Sequence, residues 1–195
     1  WRRSLGIGDD EFVIAFLGRI VMEKGLDVYA DAIDALKTRQ VPHRALIIGE
    51  GPARSWFEEL LGPQAIFVGH QEKAGLARAL ASTDVLLNPS ITETFGNVTL
   101  EAMACGLPVV AAVATGATSL VRDGESGVLV EPGDTDGFAD ALEAYARDPE
   151  LRRRHGEAGL AFAKTMDWDR INGTVLNVYR RVIERRERIG RLLNR

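Results

Sequence analysis

Residues 89–110 read PSITETFGNVTLEAMACGLPVV, and the rest of the chain is organised around this stretch. The apolar run at residues 84–88 precedes it and predicts a buried parallel strand. A helix is expected over about residues 97–105, because Gly106 then interrupts the helical pattern. The next strand begins at residues 109–112. A loop therefore leaves the carboxyl end of a strand and enters a helix N-terminus, which is where open α/β sheets bind ligands.

Two acidic residues, Glu93 and Glu101, stand eight residues apart in this stretch, with Gly96 between them. Free amides at a helix start and the positive end of the helix dipole suit a phosphate. Carboxylates repel phosphate, so they are expected to accept hydrogen bonds from sugar hydroxyls beside it. A nucleotide sugar satisfies both requirements. The alternative, two surface acids without a joint role, remains open at this point.

Composition narrows the class of protein. With 195 residues and 46% hydrophobic content, the chain can bury one good core. Its net charge of −4 argues against nucleic-acid binding, which needs a basic face. The single cysteine, Cys105, excludes an internal disulfide and fits a reducing, cytoplasmic setting. No apolar run is long enough to cross a bilayer.

Apolar runs that resemble buried strands alternate with helical patterns along most of the chain, which predicts an α/β fold with a doubly wound, Rossmann-like parallel sheet. We expect a polar linker at residues 1–11, a nucleotide-sugar-binding domain at residues 12–166 and a final helix at residues 167–195. A loop is predicted at residues 115–118. The expected strands lie at residues 12–17, 44–48, 65–68, 84–88, 109–112 and 127–131.

The carboxyl ends of parallel strands share one edge of a sheet, so this edge should also collect basic residues. Arg19 and Lys24 follow the first strand and are the cations expected nearest to a diphosphate. The alternative for each is a solvated loop charge. We expect no metal, because no pair of aspartates or group of histidines stands at the strand ends. His43 and His155 are expected at the surface.

These motifs, in this order, resemble the C-terminal donor-binding domain of retaining GT-B glycosyltransferases of family four, the group 1 type. Arg19 and Lys24-Gly25 match the family's first loop, and Glu93 and Glu101 match its E-x7-E motif. The resemblance also covers GEGP at residues 49–52 and GESGVLVEPGD at residues 124–134. It implies the C-terminal half of a GT-B fold.

The resemblance implies roles for individual residues. Arg19 and Lys24 would bind the donor diphosphate and stabilise the departing nucleotide, Glu93 would hold the sugar hydroxyls, and Glu101 would hold the ribose. These enzymes transfer a sugar with retention, by attack on the same face, and need neither metal nor cofactor. With Arg19, Lys24 and Glu93 as its catalytic members, the implied substrate-binding set is Gly18, Arg19, Lys24, Glu50, Gly51, Val68, Gly69, Glu93, Gly96, Asn97, Val98 and Glu101.

Backbone groups complete the implied site. The amides of Gly96, Asn97 and Val98 would meet the phosphates, and the base would lie near Glu50-Gly51 and Val68-Gly69. Residues 116–119 read GATS where many family members have Gly-Gly-x-Pro-Glu, which leaves the donor sugar open between GDP-mannose and a UDP-hexose.

The resemblance also implies partners. An N-terminal acceptor-binding domain would precede residue 12, and the final helix would cross back toward it. The segment PSITETFGNVTLEAM is similar to lipid-directed mannosyltransferases and sulfolipid-type enzymes, and residues 180–195 carry seven arginines that could contact anionic lipid at the membrane periphery. A solvated helix end is the alternative. Two other functions stay open: a stand-alone nucleotide-sugar-binding or regulatory module, and a GT-B-type nucleotide-sugar epimerase.

Overall fold

The computed structural model describes residues 1–193, and its centre is a six-stranded sheet in the order β3-β2-β1-β4-β5-β6. Every neighbouring pair is parallel. The order reverses between β1 and β4, which is the switch point where sheets of this kind open a ligand crevice. The strands are β1 Val13–Leu17, β2 Arg44–Ile48, β3 Ile66–Gly69, β4 Val85–Asn88, β5 Val109–Ala112 and β6 Gly127–Val130.

Helices connect the strands and cover the sheet. Short 3-10 helices occur at Arg3–Leu5 and Met22–Lys24. The α-helices are α1 Leu26–Thr38, α2 Arg54–Leu61, α3 Ala74–Leu80, α4 Asn97–Ala104, α5 Thr115–Leu120, α6 Thr135–Arg147, α7 Pro149–Ala163 and α8 Trp168–Leu193. The predicted α/β class and the doubly wound parallel sheet are confirmed.

The core forms because the middle strands are apolar on both faces. All residues of β4 and β5 are buried, as a strand covered by helices on both sides requires. Three aromatic rings from β1, α1 and α2 pack edge to face at 5.6 Å, namely Phe16, Tyr29 and Phe57. The buried Tyr29 hydroxyl donates to the carbonyl of Ile14 at 3.0 Å, which satisfies its one polar group.

The amino edge of the sheet is held by Asp84. Its Oδ2 accepts the Val13 amide at 2.8 Å and an Arg2 guanidinium N–H at 3.3 Å. Arg2 also donates to the carbonyls of Gly8 and Glu11, so residues 1–11 are hydrogen-bonded to the sheet that follows them. The same edge carries a buried polar pair, in which the Tyr145 hydroxyl lies 2.7 Å from His155 Nδ1.

Three sequence expectations were wrong in detail. Residues 115–118 belong to α5 rather than to a loop, since Gly116 packs against the backbone of Phe95 and Gly96, and Leu120 is buried. Pro52 suits the first position of a helix and predicts that one opens there, but α2 begins two residues later, at Arg54. His155 is buried rather than at the surface, because helix α7 turns it toward Tyr145.

The chain divides into two compact units, Trp1–Leu160 and Ala161–Arg195. The second unit contains α8, and the exposed large apolar side chains of this helix include Trp168, Val182 and Ile183. Of the predicted arginine-rich end, residues 194–195 lie outside the described residues. Within residues 1–193, no helix combines the length and apolar character needed to cross a bilayer.

Candidate functional site

The floor of the site is backbone from the ends of β1 and β2, which approach closely because glycines stand there. A Cβ added to Gly49 would lie 1.9 Å from the carbonyl oxygen of Gly18, and one added to Gly51 would lie 2.3 Å from that of Ile20. The Ile20 amide donates to the Glu50 carbonyl at 2.9 Å. The two segments therefore continue the pairing of the sheet beyond its strands.

A cavity of about 510 Å3 opens above this floor at the carboxyl edge of the sheet. This volume lies within the range of small-molecule sites. Five members of the predicted site line it: Gly18, Arg19, Glu50, Val98 and Glu101. The remaining lining residues are Leu17, Ile48, Gly49, His70, Gln71, Glu72, Lys73 and Leu76.

One wall of the cavity is the segment after β3, which the predicted site does not include beyond Gly69. Gln71 Nε2 donates to the Val68 carbonyl at 2.8 Å, and His70 Nε2 lies 3.2 Å from a carboxylate oxygen of Glu72. Lys73 adopts φ 48°, which is rare for a residue with a side chain. The rule that strand ends share an edge already places Gly69-His70 here, and following the chain further from β3 would have found the rest of the segment.

The opposite wall begins at helix α4. Gly96 has φ 89° and ends the preceding loop, and among the described residues no side chain caps the helix. The first-turn amides of such a helix lack intrahelical acceptors and carry the positive end of its dipole. Gly116 of α5 donates its amide to the Glu93 carbonyl at 3.0 Å, which holds the loop in front of the helix.

A chain of polar contacts supports this loop from below. Asn88 Nδ2 donates to Thr99 Oγ1 at 3.3 Å, and Asn88 Oδ1 accepts the Ser90 amide at 3.4 Å. The Ser90 and Thr92 hydroxyls lie 3.3 Å apart, and Thr92 donates to the Glu23 carbonyl at 3.2 Å. The loop after β4 is therefore joined to the loop after β1. No spacing rule indicated this network.

Both predicted phosphate-binding cations are paired with carboxylates. Lys24 Nζ lies 2.6 Å from Glu93 Oε1, and these side chains are only 20% and 12% exposed; we call them the shielded pair. Arg19 lies 3.2 Å from Glu23, with side chains 73% and 58% exposed; we call them the exposed pair. Exposed pairs contribute little because water and salt screen them, whereas a shielded pair interacts more strongly.

Glu101 projects from α4 into the cavity. Its surface is exposed to solvent, yet the atoms packed around the carboxylate still desolvate it and raise its pKa above the ordinary value. Burial, and to a lesser degree the charge of Glu101, raise the pKa of the Cys105 thiol one turn later. Among the residues that the structure describes, the Glu101 carboxylate has no hydrogen-bond partner, and its side chain lines the cavity.

The other predicted site residues lie on the same strand ends but do not line the cavity. The shielded pair occupies the loops after β1 and β4, the two segments that also supply Arg19 and Val98. In the part of the chain that the structure describes, no group of three or more His, Cys, Asp or Glu side chains could hold a metal. The residues outside the lining are Lys24, Gly51, Val68, Gly69, Glu93, Gly96 and Asn97.

Comparison with known proteins identifies the family. The family described as glycosyl transferases group 1 matches residues 11–148. A D-inositol 3-phosphate glycosyltransferase of Kribbella flavida is 38% identical over 198 residues, covering 94% of this chain and 46% of that protein. A phosphatidyl-myo-inositol mannosyltransferase of Mycobacterium leprae is 38% identical over 178 residues, covering 87% and 46%. The chain thus spans about half the length of these relatives.

Solved structures agree with the family in fold. Anabaena Alr3699/HepE in complex with UDP and glucose has a TM-score of 0.78 at 28% identity, covering 91% of this chain and 50% of that one. Sucrose-phosphate synthase from Thermosynechococcus elongatus has a TM-score of 0.82 at 28% identity, covering 94% and 48%. Sequence, fold and cavity together show that this chain belongs to the group 1 glycosyltransferases and has the Rossmann-like architecture of their GT-B fold.

Proposed function

We propose that this chain is the donor-binding part of a retaining glycosyltransferase that takes a hexosyl group from a nucleoside-diphosphate sugar. The observation that carries the proposal is the cavity at the sheet switch point, where Arg19, Glu101 and the start of α4 come together. Cations, free amides and a carboxylate there match the phosphates and hydroxyls of such a donor.

The diphosphate is assigned to the cationic side of the site. Arg19 and Lys24 bind it and neutralise the charge that grows on it as it leaves. The amides of Gly96, Asn97 and Val98 add hydrogen bonds from the start of α4. Arg19 is exposed enough to move, and its partner Glu23 holds it only weakly.

The carboxylates are assigned to hydroxyl groups. Glu101 accepts hydrogen bonds from the ribose, and Glu93 accepts them from the donor sugar. The base lies over the backbone of Glu50-Gly51 and along the strand end at Val68-Gly69. The desolvation that raises the Glu101 pKa also strengthens any hydrogen bond it accepts.

The proposed sugar transfer follows from this arrangement. The bond between the anomeric carbon and the diphosphate oxygen breaks, and a bond to an acceptor hydroxyl oxygen forms on the same face. The hydroxyl proton passes to the departing phosphate oxygen, so no other group has to be consumed. Arg19 and Lys24 supply the positive charge that a metal supplies elsewhere, and we propose that neither a metal nor another cofactor is needed.

The relatives guide the choice of donor and acceptor. HepE was solved with UDP and glucose, which supports a UDP-hexose, while the Mycobacterium leprae relative is named a mannosyltransferase, which supports GDP-mannose. The names of the relatives point to inositol-containing acceptors, one of them a lipid. We propose an acceptor of this chemistry, reached at the membrane periphery in the lipid case.

We further propose that this chain alone binds donor but does not transfer it. The proposal is supported by the share of the relatives that the chain matches, since about half of each relative lies outside the match. An N-terminal domain would then supply the acceptor site. Glycosyl transfer by the 195-residue chain to inositol phosphate or phosphatidylinositol would contradict this point.

Calorimetric titration tests the donor proposal. The chain is titrated with GDP, UDP, ADP and their hexose conjugates in buffer containing EDTA. Binding of one nucleoside diphosphate without metal, lost in Arg19→Ala but kept in the matched surface variant Arg78→Ala, is the expected result. Failure of every nucleotide to bind, with and without Mg2+, would contradict the proposal.

A further inference from the structure

The shielded pair, Lys24 and Glu93, joins two groups that the proposed function assigns to different parts of the donor. Lys24 is assigned to the diphosphate and Glu93 to the sugar, yet in the structure they lie 2.6 Å apart and neutralise each other. Any diphosphate that binds Lys24 therefore competes with Glu93 for the positive charge of the ammonium. This competition decides which ligand the site prefers.

The pair is held in place by the backbone on both sides. Lys24 ends the 3-10 helix Met22–Lys24, which Gly25 closes with φ 69°. Glu93 follows Thr92, whose hydroxyl donates to the Glu23 carbonyl at 3.2 Å, and its own carbonyl accepts the Gly116 amide at 3.0 Å. Both residues of the ion pair therefore lie on loops that hydrogen bonds hold in place.

Displacing Glu93 from Lys24 has a cost that depends on the ligand. Glu93 is only 12% exposed, so a carboxylate left without Lys24 gains little compensation from water. A bare nucleoside diphosphate would satisfy Lys24 but would leave Glu93 unpaired beside a phosphate of the same charge sign. A nucleotide sugar would bring hydroxyl donors to Glu93 at the same moment.

From this geometry we propose that the Lys24–Glu93 ion pair selects the intact nucleotide sugar over the spent nucleoside diphosphate. The inference rests on the proposed function, because it assumes that a nucleoside diphosphate binds beside Lys24. In the wild-type chain, Glu93 competes with the diphosphate for Lys24, and the hydroxyls of the sugar remove that competition. After the sugar has left, re-formation of the ion pair favours release of the nucleoside diphosphate.

The variant Glu93→Gln isolates the effect, because it removes the negative charge and keeps nearly the same shape. We expect it to bind the nucleoside diphosphate about tenfold more tightly than the wild type. Measured coupling energies between close charges are this large or larger. It should also lose the preference for the hexose conjugate over the bare diphosphate. The measurement is calorimetry with UDP, GDP and ADP and with one hexose conjugate of each.

The exposed pair supplies the matched control. Glu23→Gln removes the carboxylate next to Arg19, which is the other cation assigned to the diphosphate. Because that pair is exposed and screened, the ratio of conjugate affinity to diphosphate affinity should stay within about twofold of the wild type. An equal change in both variants would show a general loss of negative charge and would overturn the proposal.

A second variant guards against failure to fold. Glu93→Asp keeps the charge but withdraws it by one methylene, so it should tighten diphosphate binding in the same direction and by less. Should the wild type bind a nucleoside diphosphate while neither Glu93 variant binds it more tightly, the inference fails and the proposed function stands. Should the wild type bind no nucleotide at all, the proposed function fails and this inference fails with it.

Discussion

The two edges of the sheet use their polar groups in opposite ways. At the amino edge, Asp84 accepts from the Val13 amide and from Arg2, and the Arg152 guanidinium stacks over Phe12 at 5.3 Å. At the carboxyl edge, the start of α4 is uncapped by any described side chain, and Glu101 is directed at a cavity. Asp84 at the first edge is used within the fold, whereas Glu101 and the first amides of α4 at the second edge retain capacity for a ligand.

Gly49→Ala should have the largest effect on this contrast, because it introduces a steric clash at the carboxyl edge of the sheet. The new Cβ would meet the Gly18 carbonyl oxygen at 1.9 Å, and φ at Gly49 is 146°. We expect a loss of about 4 kcal/mol in the free energy of unfolding, the sum of overpacking and backbone strain. Nucleotide binding should weaken with it, since the floor itself moves.

The control for this variant is Gly62→Ala. Gly62 also has a positive φ, 73°, but a Cβ there would meet no atom within 4 Å. It should lose only the contribution of backbone strain, about 2 kcal/mol, and keep nucleotide binding. Urea unfolding gives both stabilities. Equal losses in the two variants would show that close approach of the strand ends is not what makes Gly49 necessary.

Asp84→Ala tests the amino edge. The variant removes the acceptor of the Val13 amide and the one carboxylate partner of Arg2 at this edge, so we expect a loss of about 3 kcal/mol in stability. Among folded molecules, nucleotide affinity should be unchanged. Asp140→Ala, which removes an exposed partner of Arg39, is the control and should cost less than about 1 kcal/mol. If Asp84→Ala binds nucleotide more weakly than its unfolded fraction explains, the two edges do not have separate roles.

Glu101→Ala tests the carboxyl edge, where binding should weaken while stability is kept. We expect nucleoside diphosphate binding to weaken by about 2 kcal/mol, the typical effect of losing a hydrogen bond to a charged group. Stability should not fall, because burial raises the Glu101 pKa and the ionised carboxylate therefore does not favour folding. Calorimetry and urea unfolding are compared with those of Glu59→Ala, an exposed glutamate on α2.

The raised pKa of Glu101 adds a pH dependence to the same test. Its role as acceptor needs the ionised form, so binding should decline as pH falls, beginning at a higher pH than for an ordinary glutamate. Glu101→Gln should bind less tightly at neutral pH and respond less to acid. An unchanged pH profile in that variant would assign the titration to another group.

The smallest expected effect is on the pH dependence of stability at the amino edge. Burial, with a further contribution from Arg154, lowers the pKa of His155, and the hydrogen bond to Gly124 opposes this shift. Below the ordinary histidine pKa, the unfolded chain binds a proton that the folded chain does not, so stability is lost as pH falls toward the lowered pKa. His155→Phe should flatten this decline in urea unfolding between pH 7 and pH 5. His43→Phe should act in the same direction, because burial lowers the pKa of His43 as well.

Much of this fold could be predicted from local pattern. Every predicted strand is present within two residues at either end, since strands covered on both faces leave uninterrupted apolar runs. The apolar face predicted for α1 is buried at Leu26, Tyr29, Ile33 and Leu36. The rule that parallel strands share a carboxyl edge then brought Arg19 and Glu101 to one cavity.

What could not be predicted depends on contacts that are distant in sequence. The segment TGATSL has weak helix formers, and α5 forms because Gly116 fits against Gly96 and Phe95 while Leu120 is buried. His155 follows three arginines and resembles a surface residue until α7 is placed against Tyr145. The Lys24–Glu93 pair joins residues 69 apart in sequence, so motif spacing could assign each a ligand but could not indicate that they bind each other.

The backbone floor has a consequence for engineering nucleotide preference. Because Gly49 and Gly51 admit no Cβ, substitution there offers a designer no way to read a different base. The freedom to redesign lies in the wall after β3, where Glu72 and Lys73 line the cavity, while Gln71 is kept because it donates to the Val68 carbonyl of that strand. For the donor site that we propose, a library that varies Glu72 and Lys73 and keeps the glycines fixed is expected to change donor preference.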